Sequence, residues 1–490
     1  MRKGYLTVYL SLSLALILSF ILTLIEGARI SVIRMEAECV ADIGMNSVLA
    51  EFHRELLEQY DLLFVDMSYG TASHRAENSA EHLRAYMQGN FTGQKNLLPV
   101  KDWLSLTVDR VEIKELSIAS DNNGDVMKRQ AVEYMQGASV EGILAKTIEQ
   151  TEEVQALGLD TRDIVKEREE VQAQIDAIEL PKKEDENGKQ TEIALDNPAD
   201  KVNSLRGTFI LRMVLGNTSH VSRATIRPED YVSHREKMTG IGIRPGWKEP
   251  GGLANQLLFD CYLFDKCGWY GSELEKSLLK YQIEYIIAGK DSDLKNLEKV
   301  MSRLIRWREV ANVIYLFSDS EKCAQAEALA MTLTAVLQVP ALAEPVKYSI
   351  LFAWAYVESL NDARCLLKGG KVPLMKTASD WKTSIASILG FSWGTEGGGG
   401  GDSGHGMDYQ EYLKIMLFME DSKTKNMRAM DIMEMDIRLT EGNANFRIDA
   451  CFVSYLSDIS ISSGFGYHCN SQKRYGYDCT ECHEIKNTMK

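Results

Sequence analysis

The sequence predicts an α+β protein that is mostly helical. An N-terminal transmembrane helix continues into a stalk helix, and an extracytoplasmic domain contains a small antiparallel sheet. The first observation is a charge-free run of 22 residues, 4–25, whose length as a helix, about 33 Å, matches the hydrocarbon core of a bilayer. The second is the helical spacing of apolar residues over most of the remaining chain. The third is the alternation of apolar and polar residues near 104–118 and 445–475, which is typical of strands and predicts that these segments pair.

Length and charge narrow the class of protein. A chain of 490 residues is long enough for two or three domains, and 45% hydrophobic with 26% charged residues is typical of a globular chain. The formal net charge of −15 argues against nucleic acid as a partner, because nucleic-acid binding needs a basic surface. We therefore expect the partners to be a membrane and other proteins, including further copies of this chain.

The apolar run is interpreted as a retained anchor. It is longer than the apolar region of a secretory signal peptide, and no small-residue cleavage site follows it. Arg2 and Lys3 precede it and favour a cytoplasmic N-terminus, although Arg29 and Arg34 on the far side weaken that preference. We expect a single-pass protein of the cell membrane with the bulk of the chain outside the cytoplasm.

The predicted order of segments follows from changes in periodicity and composition along the chain. They are a cytoplasmic tip (1–4), a transmembrane helix (5–27), stalk helices (28–95), a strand and helical segment (96–200) with a charged linker (182–200), a mainly helical domain (201–396), a Gly-rich loop (397–406), a C-terminal helix and strands (407–478), and a tail (479–490).

Within these segments the individual elements follow from apolar spacing, caps and breakers. They are a helix from Ile30 to about Phe64, a helix over Ala76–Met87, a strand over 103–120, a turn at 121–124, a helix from Val126 to about Gln155, a helix capped by Asp160 and Asp163 that runs to Leu180, helices from Leu253 to about Leu367, a loop at 240–252, a helix from Tyr409 to about Arg438, and alternating segments at 446–452 and 457–463. In the first of these helices, Gly44 lowers the stability of the helix by about 1 kcal/mol relative to alanine.

None of the chemical motifs in the sequence predicts an enzyme or a cofactor. Cys479-Thr480-Glu481-Cys482-His483 fits the C-x-x-C-H haem pattern, and with His468 and Cys469 it could form a zinc site, but a terminal disulfide or unligated thiols are favoured. Asp458-Ile459-Ser460-Ile461-Ser462 is interpreted as a strand and not as a metal-adhesion motif, because too few residues follow it. Asp121-Asn122-Asn123-Gly124-Asp125 is interpreted as a turn, since it lacks the ligand order of a calcium loop.

A cluster of aromatic residues has roughly helical spacing. We expect it to be helix–helix core and not a ligand platform; its members are Trp269, Tyr270, Tyr281, Tyr285, Tyr315 and Trp354.

The residues at the end of the predicted anchor resemble the corresponding segment of a known class of proteins. Ile25-Glu26-Gly27-Ala28-Arg29 resembles the membrane exit of TadE/TadG-like proteins of Tad (Flp) pilus systems, so Glu26 and Arg29 are candidate exit residues. Lys3-Gly4-Tyr5 resembles a prepilin peptidase junction, but Tyr9 stands where pilin-like proteins usually have glutamate.

A second resemblance spans more of the chain. Residues Lys3 to Gly70, together with Gly464-Phe465-Gly466-Tyr467 and Arg474-Tyr475-Gly476-Tyr477, resemble an uncharacterised family of clostridial membrane proteins, a domain of unknown function. Members of that family tend to be encoded near Tad pilus components. The resemblance implies a non-enzymatic component of a Tad/Flp-type pilus or a related secretion apparatus.

Small residues recur at every fourth position of the anchor and define what we call the small-residue stripe. Small side chains allow close approach of helices in lipid, so the stripe predicts lateral packing against another membrane helix, as a pseudopilin-like subunit requires. Its members are Ser11, Ala15, Ser19, Thr23 and Gly27. The alternative function is that of an anchored metal- or haem-binding redox protein that uses the C-terminal Cys/His group.

Overall fold

A computed structural model describes residues 2–93, 104–137, 141–184, 190–192, 195–207, 210–242, 252–390, 402–464 and 475–484. In chain order it begins with α1 (Arg2–Leu49), α2 (Arg54–Tyr60), β1 (Val65–Asp66), α3 (Ala76–Gly93), β2 (Leu106–Ile118), α4 (Asp121–Met135), α5 (Glu141–Ala156) and α6 (Ile164–Asp176). It continues with β3 (Lys182–Glu184), β4 (Gln190–Glu192), α7 (Pro198–Leu205), α8 (Ile210–Leu215), α9 (Leu253–Lys266), α10 (Gln282–Ala288), α11 (Asp293–Ser318) and α12 (Ser320–Ala335). The last elements are α13 (Ala343–Leu367), α14 (Ala386–Leu389), α15 (Tyr409–Phe418), α16 (Ser422–Arg438), β5 (Cys451–Ser463) and β6 (Tyr475–Glu484).

The predicted fold class is confirmed, because helices dominate and a small antiparallel sheet joins distant parts of the chain. The chain divides into two compact units. Unit 1 consists of 1–137, 229–251 and 433–490, and unit 2 consists of 138–228 and 252–432.

The sheet of unit 1 is built around β5. β2 pairs with β5 from Leu106 opposite Ser463 to Ile118 opposite Phe452, so the predicted pairing of the two distant segments is confirmed. Three register shifts, which are β-bulges or local irregularities, interrupt the ladder. β1 and β6 pair with successive parts of β5 on its other edge, also antiparallel.

The second half of α1 forms part of the core of unit 1. Its buried apolar residues recur every three or four positions, which places them on one helix face against the sheet and α3. They are Ile33, Ala37, Val40, Ala41, Met45 and Val48.

The predicted helix from Ile30 to about Phe64 is wrong, because α1 ends at Leu49. His53 then adopts an extended conformation and caps α2, its Nδ1 accepting from the amide of Leu56 at 3.2 Å. α2 ends after two turns at Asp61, whose φ of 51° is left-handed. Local capping groups therefore divide a stretch whose apolar spacing alone favours one helix.

Other predicted helices are also too long. The segment from Val126 to Gln155 is divided into α4 and α5, and Gly137 follows the end of α4. The helix predicted to reach Leu180 is capped by Asp163 as expected, but ends at Asp176.

The described residues of the predicted linker at 182–200 include the paired strands β3 and β4 and the start of α7. The predicted helix from Tyr409 to Arg438 is divided into α15 and α16, because Asp421 accepts from the amide of Thr424 at 3.0 Å and starts a new helix.

The predicted turn at 121–124 is confirmed: although the range of α4 begins at Asp121, its residues Asn122, Asn123 and Gly124 have positive φ and are not helical. The Gly-rich stretch at 397–401 lies outside the described residues.

Unit 2 packs the long helices α11, α12 and α13 together and buries charge between them. The Arg308 Nε donates to Asp362 Oδ2 at 3.0 Å, and its Nη1 donates to the carbonyl oxygen of Leu374 at 2.8 Å. Lys376 donates to Asp362 Oδ1 at 2.5 Å and also to Glu358. Burial raises the pKa of Asp362, but the Arg308 and Lys376 cations lower it further than burial raises it. The charges compensate one another, so loss of any one of these side chains would leave a buried charge unpaired and destabilise this unit.

The aromatic cluster belongs to unit 2. Tyr281, Tyr285, Tyr315 and Trp354 are buried, which confirms the interpretation as core for these four residues.

Candidate functional site: the anchor helix and its exit

The first half of α1 is exposed along its length. Within residues 4–49, an 18-residue window reaches a mean hydropathy of 2.5 with none of its residues buried. In the part of the chain that the structure describes, α1 is the one helix long and apolar enough to cross a membrane, as an anchor or as a signal sequence.

The small-residue stripe lies on the exposed part of α1, with Ser11, Ala15, Ser19, Thr23 and Gly27 all exposed. The Ser11 hydroxyl donates to the carbonyl oxygen of Val8 at 2.9 Å, and the Thr23 hydroxyl donates to that of Ser19 at 2.8 Å. These hydroxyls therefore find acceptors within the helix, as a helix in lipid requires. A Cβ at Gly27 would meet no atom within 4 Å, so a neighbouring backbone can approach it closely.

The structure brings Glu26 and Arg29 together and adds a third residue to the exit motif. Arg29 Nη1 lies 3.3 Å from Glu26 Oε1, and Arg29 Nη2 donates to the hydroxyl of Ser463 at 2.8 Å. Arg29 is only 8% exposed, although the residues on either side of it are exposed. The Arg29 cation, four residues beyond the apolar run, is therefore part of the folded unit.

Ser463 continues this contact into the sheet. Its hydroxyl donates to the carbonyl oxygen of Leu104 at 2.6 Å, and the amide of Gly464 donates to the carbonyl oxygen of Ser105 at 3.0 Å. The residues just beyond the apolar run of α1 and the ends of β2 and β5 thus meet at one place. Sequence reasoning missed Ser463, because it is separated from Arg29 by 434 positions.

A second contact joins α1 to β5 further along the helix. The Tyr455 hydroxyl donates to the carbonyl oxygen of Met45 at 3.1 Å, and the Ser457 hydroxyl lies 3.8 Å from the Met45 sulfur. Both residues are buried on the face of β5 that packs on α1. Two points of attachment fix the helix along the strand.

The C-terminal Cys/His group is only partly described. The backbone of Cys479, Cys482 and His483 belongs to β6, where Cys479 pairs with Ile459 and His483 with Tyr455. Their side chains lie outside the described residues, as do His468 and Cys469 entirely. Among the residues whose side chains the structure describes, no three histidine, cysteine or carboxylate groups come together as a metal site.

The loop at 121–125 has a structural role in unit 1. Asp121 Oδ1 accepts from the amide of Gly240 and Oδ2 accepts from that of Ile118, both at 2.9 Å. Both carboxylate oxygens are thus engaged by backbone amides, which supports the interpretation as a turn.

Unit 2 contains a buried carboxyl group that sequence reasoning did not single out. Glu284 Oε1 accepts from the amide of Tyr270 and from the hydroxyl of Tyr409, both at 2.9 Å. Burial raises the pKa of Glu284 to about 7, more than these hydrogen bonds lower it. A pKa in this range suits proton transfer, but the side chain is completely enclosed and a substrate would not reach it.

The fold and this site define a protein in which one apolar N-terminal helix is built into the core of an α+β unit. The chain belongs to the family of unknown function DUF5702, whose sequence profile matches residues 187–463, more than half of the chain. The match shows membership in a family of unknown function, over residues other than those at 3–70 and 464–477 that carry the resemblance noted in the sequence. It ends at Ser463, the residue that binds Arg29. No curated protein and no solved structure matches the chain.

Proposed function

We propose that the chain is a non-enzymatic, membrane-anchored component of a Tad/Flp-type pilus or a related secretion apparatus. The observation that carries the proposal is α1, whose first half is apolar and exposed and whose second half is core of unit 1. Such a helix has one half available for assembly and one half that connects the assembly to a folded domain. The resemblance of residues 25–29 to TadE/TadG-like exits supports the choice of apparatus.

The mechanism is lateral assembly in the bilayer. Without a hydrophobic driving force between helices in lipid, association depends on close van der Waals packing, and small residues at every fourth position permit it. The small-residue stripe provides this surface. Unit 1 is held to the anchor helix, because hydrogen bonds at Arg29 and Met45 join α1 to β5. Partners are other pilus or secretion proteins and further copies of this chain.

Enlarging the stripe tests the proposal. The double variant Ala15→Leu, Ser19→Leu keeps the helix apolar but fills the close-approach surface, so co-purification with pilus-assembly proteins from membranes of the native host should fall at least about tenfold, the equivalent of about 1.4 kcal/mol. The measurement is quantitative mass spectrometry of material captured through a tag on the full chain.

A matched control is Ser13→Leu, the same change about 120–160° around the helix from the two stripe positions. It should leave capture unchanged. Equal capture by the stripe variant and the wild type would overturn lateral packing. Capture of only unrelated membrane proteins by the wild type would overturn the assignment to a pilus or secretion apparatus.

A further inference from the structure

α1 and β5 lie side by side in unit 1 and run in opposite directions. They touch at Arg29–Ser463 and again at Met45–Tyr455. The sixteen residues between the helix contacts rise about 24 Å, and the eight residues between the strand contacts rise about 26 Å. Because the two lengths agree, β5 runs nearly parallel to the axis of the anchor helix.

The depth of one end of the sheet follows from the position of Arg29. The charge-free run ends at Ile25, and Arg29 is four residues further, about 6 Å along the helix. The polar headgroup layer adds about 5–8 Å on each side of the hydrocarbon core. With residues 4–25 in the hydrocarbon, Arg29 and its partner Ser463 lie in the headgroup layer.

We propose that the sheet end formed by 105–107 and 462–464 is a lipid-contacting surface, and that its partner is the headgroup layer of the bilayer that holds the anchor. This inference rests on the proposed function only through its membrane anchor. The inference also specifies the orientation of unit 1 at the membrane. The strands of its sheet lie roughly along the axis of the anchor helix, with this sheet end nearest the lipid.

The chemistry of the sheet end suits a phospholipid surface. Its exposed residues are Thr107 and Gly464, and the Thr107 hydroxyl lies 3.0 Å from the hydroxyl of the buried Ser462. The six residues 105–107 and 462–464 include no carboxylate that anionic lipids would repel. On α1 just beyond the exit, the apolar side chains of Ile30 and Val32 are 38% and 43% exposed. Apolar side chains at this depth contact lipid at little cost, whereas in water they would add to the exposed apolar surface.

The opposite end of unit 1 supplies an internal reference. His53 lies just beyond the end of α1 and bonds the side chain of Asn443 at 3.0 Å. The helix rises about 30 Å between Arg29 and Leu49. Glu441, exposed and two residues from Asn443, therefore lies far outside the headgroup layer.

Photo-crosslinking tests the inference on the full chain. p-Benzoylphenylalanine replaces Ile17, Thr107 or Glu441, one at a time, and each protein is reconstituted into vesicles of phosphatidylethanolamine and phosphatidylglycerol. All three positions are exposed, so the substitutions leave the core intact, and thermal unfolding matched to the wild type checks this. After irradiation, mass spectrometry should find lipid adducts at positions 17 and 107 at least about tenfold above position 441.

The three positions separate the two proposals. Adducts at 17 but not at 107 would overturn the lipid-contacting sheet end and leave the membrane anchor standing. Equal adducts at 107 and 441 would overturn the upright orientation. No adducts at 17 would overturn the anchor, and with it the inference.

Discussion

Glu284 is a carboxyl group whose pKa burial raises into the neutral range. Its pKa in the folded protein is raised from 4.5 to about 7, first by burial and also by the negative charge of Asp293, against hydrogen bonds from Tyr270 and Tyr409 that lower it. Between these two values the folded protein holds a proton that the unfolded chain has released. Its contribution to stability is therefore full below about pH 4.5 and is lost as pH rises through about 7.

The variant Glu284→Gln tests this at the scale of one residue. Glutamine cannot ionise. The free energy of unfolding of the wild type should therefore fall by about 3 kcal/mol relative to that of the variant as the pH rises from about 4.5 to about 8. Urea unfolding of both full-length proteins in detergent at these two pH values measures the difference. The control Glu275→Gln makes the same substitution at an exposed position. A Glu284→Gln difference from the wild type that stays constant with pH would contradict the raised pKa.

Single-residue roles could be predicted where the partner is local. The Asp163 cap follows from its place three residues before the amide it binds, that of Lys166. The role of Ser463 could not be predicted, because its partner Arg29 is set by tertiary packing. Glu284 likewise appears in the sequence as an ordinary acidic residue of a short helix, and its raised pKa results from burial in the folded unit.

Gly44 is the point where α1 and α3 approach each other closely. A Cβ at this position would lie 2.8 Å from Met87 Cγ and 3.0 Å from Leu83 Cδ1. The sequence alone treats this glycine as a weakness of the helix, worth about 1 kcal/mol. The structure gives it a function, since the absence of a side chain lets two helices of the core touch.

A matched pair of substitutions tests the close approach of these helices. Gly44→Leu should lower the free energy of unfolding by about 1–3 kcal/mol, because the added side chain overpacks the contact with α3. Gly89→Leu, on the open face of α3 where a Cβ meets nothing within 4 Å, should raise it by up to about 1 kcal/mol. Thermal or urea unfolding of the two variants gives the comparison. Equal effects at both positions would mean that helix propensity alone governs Gly44.

Element boundaries were harder to predict than element types. The apolar period continues past Leu49 and past Phe418, so periodicity alone extends both helices. The chain ends them because His53 and Asp421 cap new helices. A histidine cap and an internal aspartate are weak signals in sequence, and they compete with a strong apolar pattern.

At the scale of the whole molecule, the pairing of β2 with β5 could be predicted because both strands carry a clear alternation. β1 and β6, which pair with β5 alone, were harder to predict, since β1 has only two residues and most of β6 falls in the predicted tail (479–490). The packing of α1 against the sheet could not be predicted either, because the apolar face of an amphipathic helix does not indicate which element packs against it. The membrane orientation rests on charge alone and is open to a direct test.

The two basic residues at the start of the chain predict which side of the membrane holds the two units. Arg2 and Lys3 lie next to the apolar run, where positive charge favours the cytoplasm, while Arg29 is enclosed by the folded unit beyond it. A C-terminal alkaline phosphatase fusion should therefore be active, because the enzyme folds only after export, and a C-terminal green fluorescent protein fusion made through the same export route should be dark.

Removing the two N-terminal positive charges tests their effect on the membrane orientation. In the double variant Arg2→Gln, Lys3→Gln the phosphatase signal per molecule should fall, because the cytoplasmic preference of the N-terminus is weakened. Lys166→Gln with Lys201→Gln removes the same charge more than 100 residues from the apolar run, beyond the range over which flanking charge sets orientation, and should leave the signal unchanged. A fluorescent and phosphatase-inactive wild type would put both units in the cytoplasm, where they could not join an extracytoplasmic pilus, and the proposed function would then be wrong even if the helix spans the bilayer.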